Sequence, residues 1–183
     1  VIFMLTFVTG YSASNEIKVG MECGYAPFNW FQDTNKNGAV PTNGGYCGGY
    51  DVEIAKVIAK KLGKKLVIVK TEWDALLGPA LTSGKVDLVI AGMSATPERK
   101  QSLLFTKPYY ESDLVVVVKK NGKYAKAKSI NDFSGARITG QLNTLHYDVI
   151  DQMKGVSKQT AMESLLTPLD RKSTRLNSSH IQK

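Results

Sequence analysis

VDLVIAGMSATPERK, residues 86–100, carries an apolar strand into a capped turn within a few residues. The run VDLVI ends at Ala91, which sets Gly92, Met93 and Ser94 at the carboxyl edge of a strand. Gly92 lets another group approach the backbone closely, and Ser94 offers a hydroxyl. Thr96 suits a helix N-cap, Pro97 a first helical position and Glu98 the positive end of a helix. Arg99 then falls in the first turn, where free N–H groups attract anions and a guanidinium can hold a carboxylate through two parallel hydrogen bonds. The plainer reading is a well-capped helix with a solvent-facing arginine. The residues alone leave both open.

Outward from this turn the chain alternates. EIKVGME reads as a strand, YAPFNWFQ as an aromatic loop, and DTNKNGAVPTNGGYCGG as a turn-rich hairpin region. DVEIAKVIAKKLG places Val52, Ile54, Ala55, Ile58, Ala59 and Leu62 at helical spacing, with Asp51 as cap and Gly63 as stop. KLVIVK reads as a strand buried on both faces, and WDALLGPALTSGK as a helix restarted at Pro79. A second round follows FTKPYYES: DLVVVVKK as a long strand, SINDF as a short helix capped by Ser129, ARITGQ as a strand, TLHYDVIDQMKG as a helix and VSKQTA as a strand. Strands alternating with helices imply parallel sheets, because each crossover needs a helix to return the chain. Two such rounds joined by one extended segment predict an α/β fold of two lobes, with ligand collected beyond the carboxyl ends of the strands.

Composition narrows the function classes. The formal charge is +8, but Arg171, Lys172, Arg175 and Lys183 supply four of those charges, leaving +4 for residues 1–170. The remaining lysines are scattered around helices as solvated faces, without aromatic interleaving, so no nucleic-acid partner is expected. VIFMLTFVTGYSAS, residues 1–14, has the apolar-then-small character of a secretory signal remnant, which predicts export. Cys23 and Cys47 are the only cysteines; they either pair in an oxidising compartment or sit as buried thiols. DTNKNG imitates half of a calcium loop, but Gly44 stands where the twelfth-position Glu belongs, so a hairpin turn is expected. His146 has no second ligand within reach by sequence. No metal, cofactor or catalytic constellation is predicted.

The ordered set GYDVEIAKVIAKKLG, TEWDALL, SGKVDLVIAGMSATPER and FTKPYYES resembles the amino-acid-binding proteins that serve bacterial ABC importers, from about Ile17 to about Met162. The resemblance implies a two-lobed periplasmic-binding-protein-like fold with a hinge, here with an incomplete second lobe. It implies that Arg99 binds the ligand α-carboxylate with help from Gly92 and Ser94, and that the Ala91 carbonyl meets the α-ammonium. By the same resemblance Glu22 and Tyr25 belong to the first pocket loop, Trp73 packs on the ligand side chain, and Gln141, Asn143 and Thr144 form the second-lobe loop that closes over it. That loop usually carries glycine where Asn143 stands. For Glu22 the plainer alternative is a surface carboxylate; for Trp73 and Tyr25 it is core packing, with the acids flanking Trp73 arguing against full burial. Tyr50 and Asp51 are read as core packing and helix capping.

A carboxylate between two aromatic walls favours lysine, arginine, histidine or glutamine. The expected organisation is a signal remnant over 1–14, lobe one over 15–108, a partial lobe two over 109–170, and a non-family tail over 171–183 that reads either as translated adapter sequence or as disordered chain. The expected partners are a small amino acid and the membrane subunits of an ABC permease, with the protein itself a monomer. Two alternatives are a ligand-sensing domain of a membrane receptor, kinase or permease fusion, and a dehydratase on the same scaffold.

Overall fold

Hydrogen-bonded strand pairing organises the described residues into three sheets. The computed structural model describes residues 14–163 and the backbone of Leu176–Ser178. In chain order the elements are β1 (Glu16–Met21), β2 (Gly24–Tyr25), β3 (Asn29–Gln32), β4 (Val40–Thr42), β5 (Gly45–Gly48), α1 (Tyr50–Lys61), β6 (Lys65–Lys70), α2 (Trp73–Leu76), α3 (Pro79–Thr82), β7 (Leu88–Val89), β8 (Val116–Val117), β9 (Arg137–Thr139), α4 (Leu145–Asp148), β10 (Ser157–Lys158) and β11 (Leu176–Ser178). Short 3₁₀ turns punctuate them at Lys36–Gly38, Arg99–Gln101, Ile130–Phe133 and Val149–Gln152.

The first lobe is built on a parallel sheet ordered β6-β1-β7, with β1 pairing β6 in register from Glu16↔Lys65 to Met21↔Lys70. An antiparallel sheet ordered β2-β3-β5-β4 lies beside it. Val19, Met21, Val52, Ala55, Ile68 and Ile90 fill the core with Cys23 and Cys47, which are joined in a disulfide. The helical spacing read from DVEIAKVIAKKLG therefore meets the sheet through Val52, Ala55 and Ala59, all buried. Gly20 leaves room for α2 against the same sheet, since a Cβ there would stand 2.8 Å from the Leu76 side chain. The second lobe has its own core of Phe133, Ala136, Ile138, Ile150 and Met153 beneath a sheet ordered β10-β9-β11-β8.

Several expectations need correction. KLVIVK, expected to be buried on both faces, is half-buried along most of its length, with only Ile68 fully enclosed. DLVVVVKK is not a long strand; only Val116 and Val117 pair, against Ser178 and Asn177. The helix read from TLHYDVIDQMKG tightens to 3₁₀ after Asp148. WDALLGPALTSGK does break at Gly78 and restart at Pro79, and Ser129 caps its turn in a reciprocal box with Asp132. DTNKNG forms a 3₁₀ turn between β3 and β4, and the hairpin itself is β4–β5, turned at Asn43-Gly44. Residues 1–13, expected as signal remnant, lie outside the described residues, as do 164–175 and 179–183. Within the tail read as non-family, Leu176–Ser178 is a strand between β8 and β9.

Asp51, expected as the helix cap, does not cap α1. It is fully buried, accepts from Asn29 Nδ2 at 2.7 Å and from the Tyr109 hydroxyl at 2.7 Å, and Gly49 occupies the cap position instead. Tyr50, expected in the core, is exposed and packs on Phe28, Tyr109 and Tyr110. Burial raises the Asp51 carboxyl above its ordinary value, and the hydrogen bonds from Tyr109 and Asn29 pull it part of the way back. The folded state then keeps a proton that the unfolded state has already released. The Asp51 contribution to stability accordingly falls as pH rises from the unfolded value near 3.8 to the raised folded value, and is level above it. Urea denaturation of the wild type and Asp51→Asn from about pH 4 to about pH 7 should show the wild-type advantage shrinking with pH; a difference that grows with pH contradicts the assignment.

Candidate functional site

The parallel register decides which residues meet. β1 ends at Met21 opposite Lys70, and β7 pairs Val89 with Gly20, so all three strands finish on one edge. The residues that follow each strand are Glu22 to Tyr25, Thr71 to Trp73, and Ala91 to Ser94. Thr71 N–H donates to the Met21 carbonyl at 3.0 Å and Ile90 N–H to the Gly20 carbonyl at 3.2 Å, which holds these exits together. Gly92 turns at φ +59, where a Cβ would stand 3.0 Å from the Tyr25 ring. Its N–H donates to the Tyr109 hydroxyl at 3.2 Å, so Gly92 serves the site by close approach and its N–H is already engaged.

Arg99 comes from the turn that follows. Thr96 Oγ1 accepts the Arg99 N–H at 3.3 Å, and Lys100 N–H donates to the Thr96 carbonyl at 3.0 Å, which fixes the turn although it extends only as a 3₁₀ segment. The guanidinium reaches back over the strand edge. It donates from Nη1 to the Ser94 carbonyl at 2.9 Å and lies 5.6 Å from the centre of the Trp73 ring. Burial lowers its affinity for the proton, opposed by the charges of Asp148 and Glu98. Trp73 is itself buried, at 8% exposure, because it packs on Leu76 and Ala91.

The second lobe supplies the facing wall. β9 ends at Thr139, and Gln141 through Thr144 lead into α4, whose N-cap is Thr144 with its side chain accepting the Tyr147 N–H. Gln141 Nε2 donates to Glu22 Oε1 at 3.0 Å, and both residues are buried. Tyr25 stacks on Phe28 and meets His146 edge-on. Burial, with the charge of Asp51 behind it, pushes the Tyr25 phenol well above its ordinary range, so the hydroxyl stays neutral.

One pocket is lined by Glu22, Tyr25, Trp73, Ala91, Gly92, Ser94, Arg99, Gln141 and Thr144, together with Leu145 and His146. Nine of the ten candidates from sequence thus converge. Asn143 is the exception: it stands beside the pocket, with its carbonyl accepting from Trp73 Nε1 at 3.0 Å and from Arg99 Nη2 at 2.8 Å. Its φ of +57 explains why this position favours glycine, and why asparagine can replace it. Leu145 and His146 were missed. Their signal was positional, since the first two residues after an N-cap at a strand's carboxyl end face the same cleft. Among the described residues no group of His, Cys, Asp and Glu is placed to hold a metal ion.

Comparison with known proteins identifies the family of the chain. Residues 17–180 match the bacterial extracellular solute-binding proteins, family 3, so the match continues into the tail that sequence pattern had set apart. A probable histidine-binding protein of Campylobacter jejuni is 36% identical over 175 residues, which takes in 92% of this chain and 63% of that protein. The arginine-bound form of truncated ArgBP from T. maritima superposes with a TM-score of 0.66 at 28% identity, covering 82% of this chain and 65% of that one. An ancestral amino-acid-binding protein described as a precursor of cyclohexadienyl dehydratase gives a TM-score of 0.69 at 31% identity, covering 82% and 62%. The chain therefore spans a little over three-fifths of these relatives.

Because Thr96 seats Arg99, Thr96→Ala should lower the unfolding free energy by about 0.5–1 kcal/mol while Thr96→Ser retains most of it. Urea midpoints measure this, and equal midpoints for wild type and Thr96→Ala would remove the cap from the account.

Proposed function

The chain belongs to the bacterial extracellular solute-binding proteins of family 3, and from that premise we propose that it captures an amino acid with a cationic or amide side chain for delivery to the membrane subunits of an ABC importer. The carrying observation is the polarity of the pocket: a half-buried guanidinium at one side and a buried carboxylate, Glu22, among its lining residues. A zwitterionic ligand with a positive or amide-bearing side chain satisfies both. Its α-carboxylate takes the guanidinium fork, its α-ammonium meets the Ala91 carbonyl, and its side chain lies between Tyr25 and Trp73 toward Glu22. The named relatives support this reading, being proteins described as binding histidine or arginine. We assign the site no catalysis.

Export fits the Cys23–Cys47 disulfide, which persists in an oxidising compartment. Among the described residues no helix is long and apolar enough to cross a membrane. Closure about the extended Lys107–Ser112 segment would enclose the ligand and create the surface that a permease reads. Titration calorimetry of the full chain with lysine, arginine, histidine and glutamine tests the proposal. Arg99→Ala should abolish the heat, and Arg99→Lys should leave a remnant weaker by roughly 10- to 100-fold, because lysine keeps the charge and loses the fork. Wild-type affinity in Arg99→Ala would overturn the site assignment.

A further inference from the structure

Asn143 touches the first lobe at three points. Its carbonyl accepts from Trp73 Nε1 and Arg99 Nη2, and its side-chain Nδ2 donates to Asp74 Oδ1 at 2.8 Å. Trp73 and Asp74 are adjacent in the first turn of α2, so the contact is a two-handed grip on one helical turn. The left-handed backbone of Asn143 aims the carbonyl, and glycine would adopt that backbone at least as readily. What asparagine adds is the side-chain bond to a carboxylate, the stronger class of hydrogen bond. Neither Asp74 nor the Asn143 side chain lines the pocket.

We propose that Asp74 and Asn143 form a latch across the cleft, in which Asp74 is a positioning residue that acts through Asn143 to hold its carbonyl against Trp73 and Arg99 and so keep the lobes closed. The latch forms only when the lobes meet, so it slows opening. Its consequence for ligand residence rests on the amino-acid-capture reading, but the latch itself does not.

The chain contains two tryptophans, which makes the latch observable without ligand. Trp30 Nε1 donates to Gln32 Oε1 at 2.9 Å within the first lobe and serves as internal reference, whereas the Trp73 indole N–H is held across the cleft. With ¹⁵N-tryptophan-labelled full chain, hydrogen exchange of the Trp73 indole should quicken by about three- to tenfold in Asn143→Gly and in Asp74→Ala. Trp30 should be unaffected. The double variant should exchange no faster than either single one, because both remove the same bond. Asp74→Asn, which keeps an acceptor, should fall between wild type and Asp74→Ala. Unchanged Trp73 exchange in the single variants, or effects that simply add in the double variant, would overturn the latch. In stopped-flow displacement of bound L-arginine or L-histidine the same variants should raise the dissociation rate by a similar factor. If no amino acid binds wild type, the capture reading fails while the exchange result still decides the latch.

Discussion

Parallel pairing of β1 with β6 and β7 is the constraint on which everything else depends. Parallel strands end on the same edge, so residues remote in sequence leave the sheet together. Glu22, Trp73 and Ala91 are each within three residues of a strand end. Hydrogen bonds from Thr71 and Ile90 back to the end of β1 fix their spacing without help from the side chains themselves. The edge thus presents a carboxylate, an indole and the backbone of Ala91 side by side. The turn at Thr96 brings Arg99 back over them. A second α/β lobe, ending its own strand β9 at the facing edge, supplies Gln141, Thr144 and the carbonyl of Asn143.

The charges at this junction are chemically unequal. Arg99 keeps its proton under any ordinary condition, and its fork donates to carbonyls from both lobes. Buried Glu22 receives the amide of Gln141 from across the cleft. Each lobe therefore leaves a polar group that the other satisfies. Behind it, the Tyr109 hydroxyl ties the segment leading to the second lobe to both Gly92 and buried Asp51.

Much of this was legible in the sequence, for physical reasons that differ by residue. The helix at Tyr50–Lys61 followed from apolar spacing, the break at Gly78-Pro79 from proline chemistry, and the cluster around Arg99 from cap residues packed behind a strand. What the sequence obscured depended on partners remote along the chain. Only two residues of DLVVVVKK pair, because strand length is set by the neighbouring strand and not by β-branching. Asp51 looked like a cap because it opens a helix, yet Asn29 and Tyr109, far apart in sequence, make it a buried acceptor. Asn143 was placed in the right loop, but its left-handed backbone redirects its carbonyl from the pocket to Trp73 and Arg99. His146 offered no second ligand by sequence and enters the site through the geometry of the Thr144 cap.

The central claim is that Arg99 recognises an α-carboxylate. Competition calorimetry that compares each basic amino acid with its decarboxylated amine, L-arginine with agmatine and L-histidine with histamine, isolates that group while the side chain stays the same. The amino acid should bind, and its amine should be weaker by about 100-fold or more, in keeping with the loss of a charge-assisted fork. An amine that bound as tightly as its parent amino acid would contradict that claim.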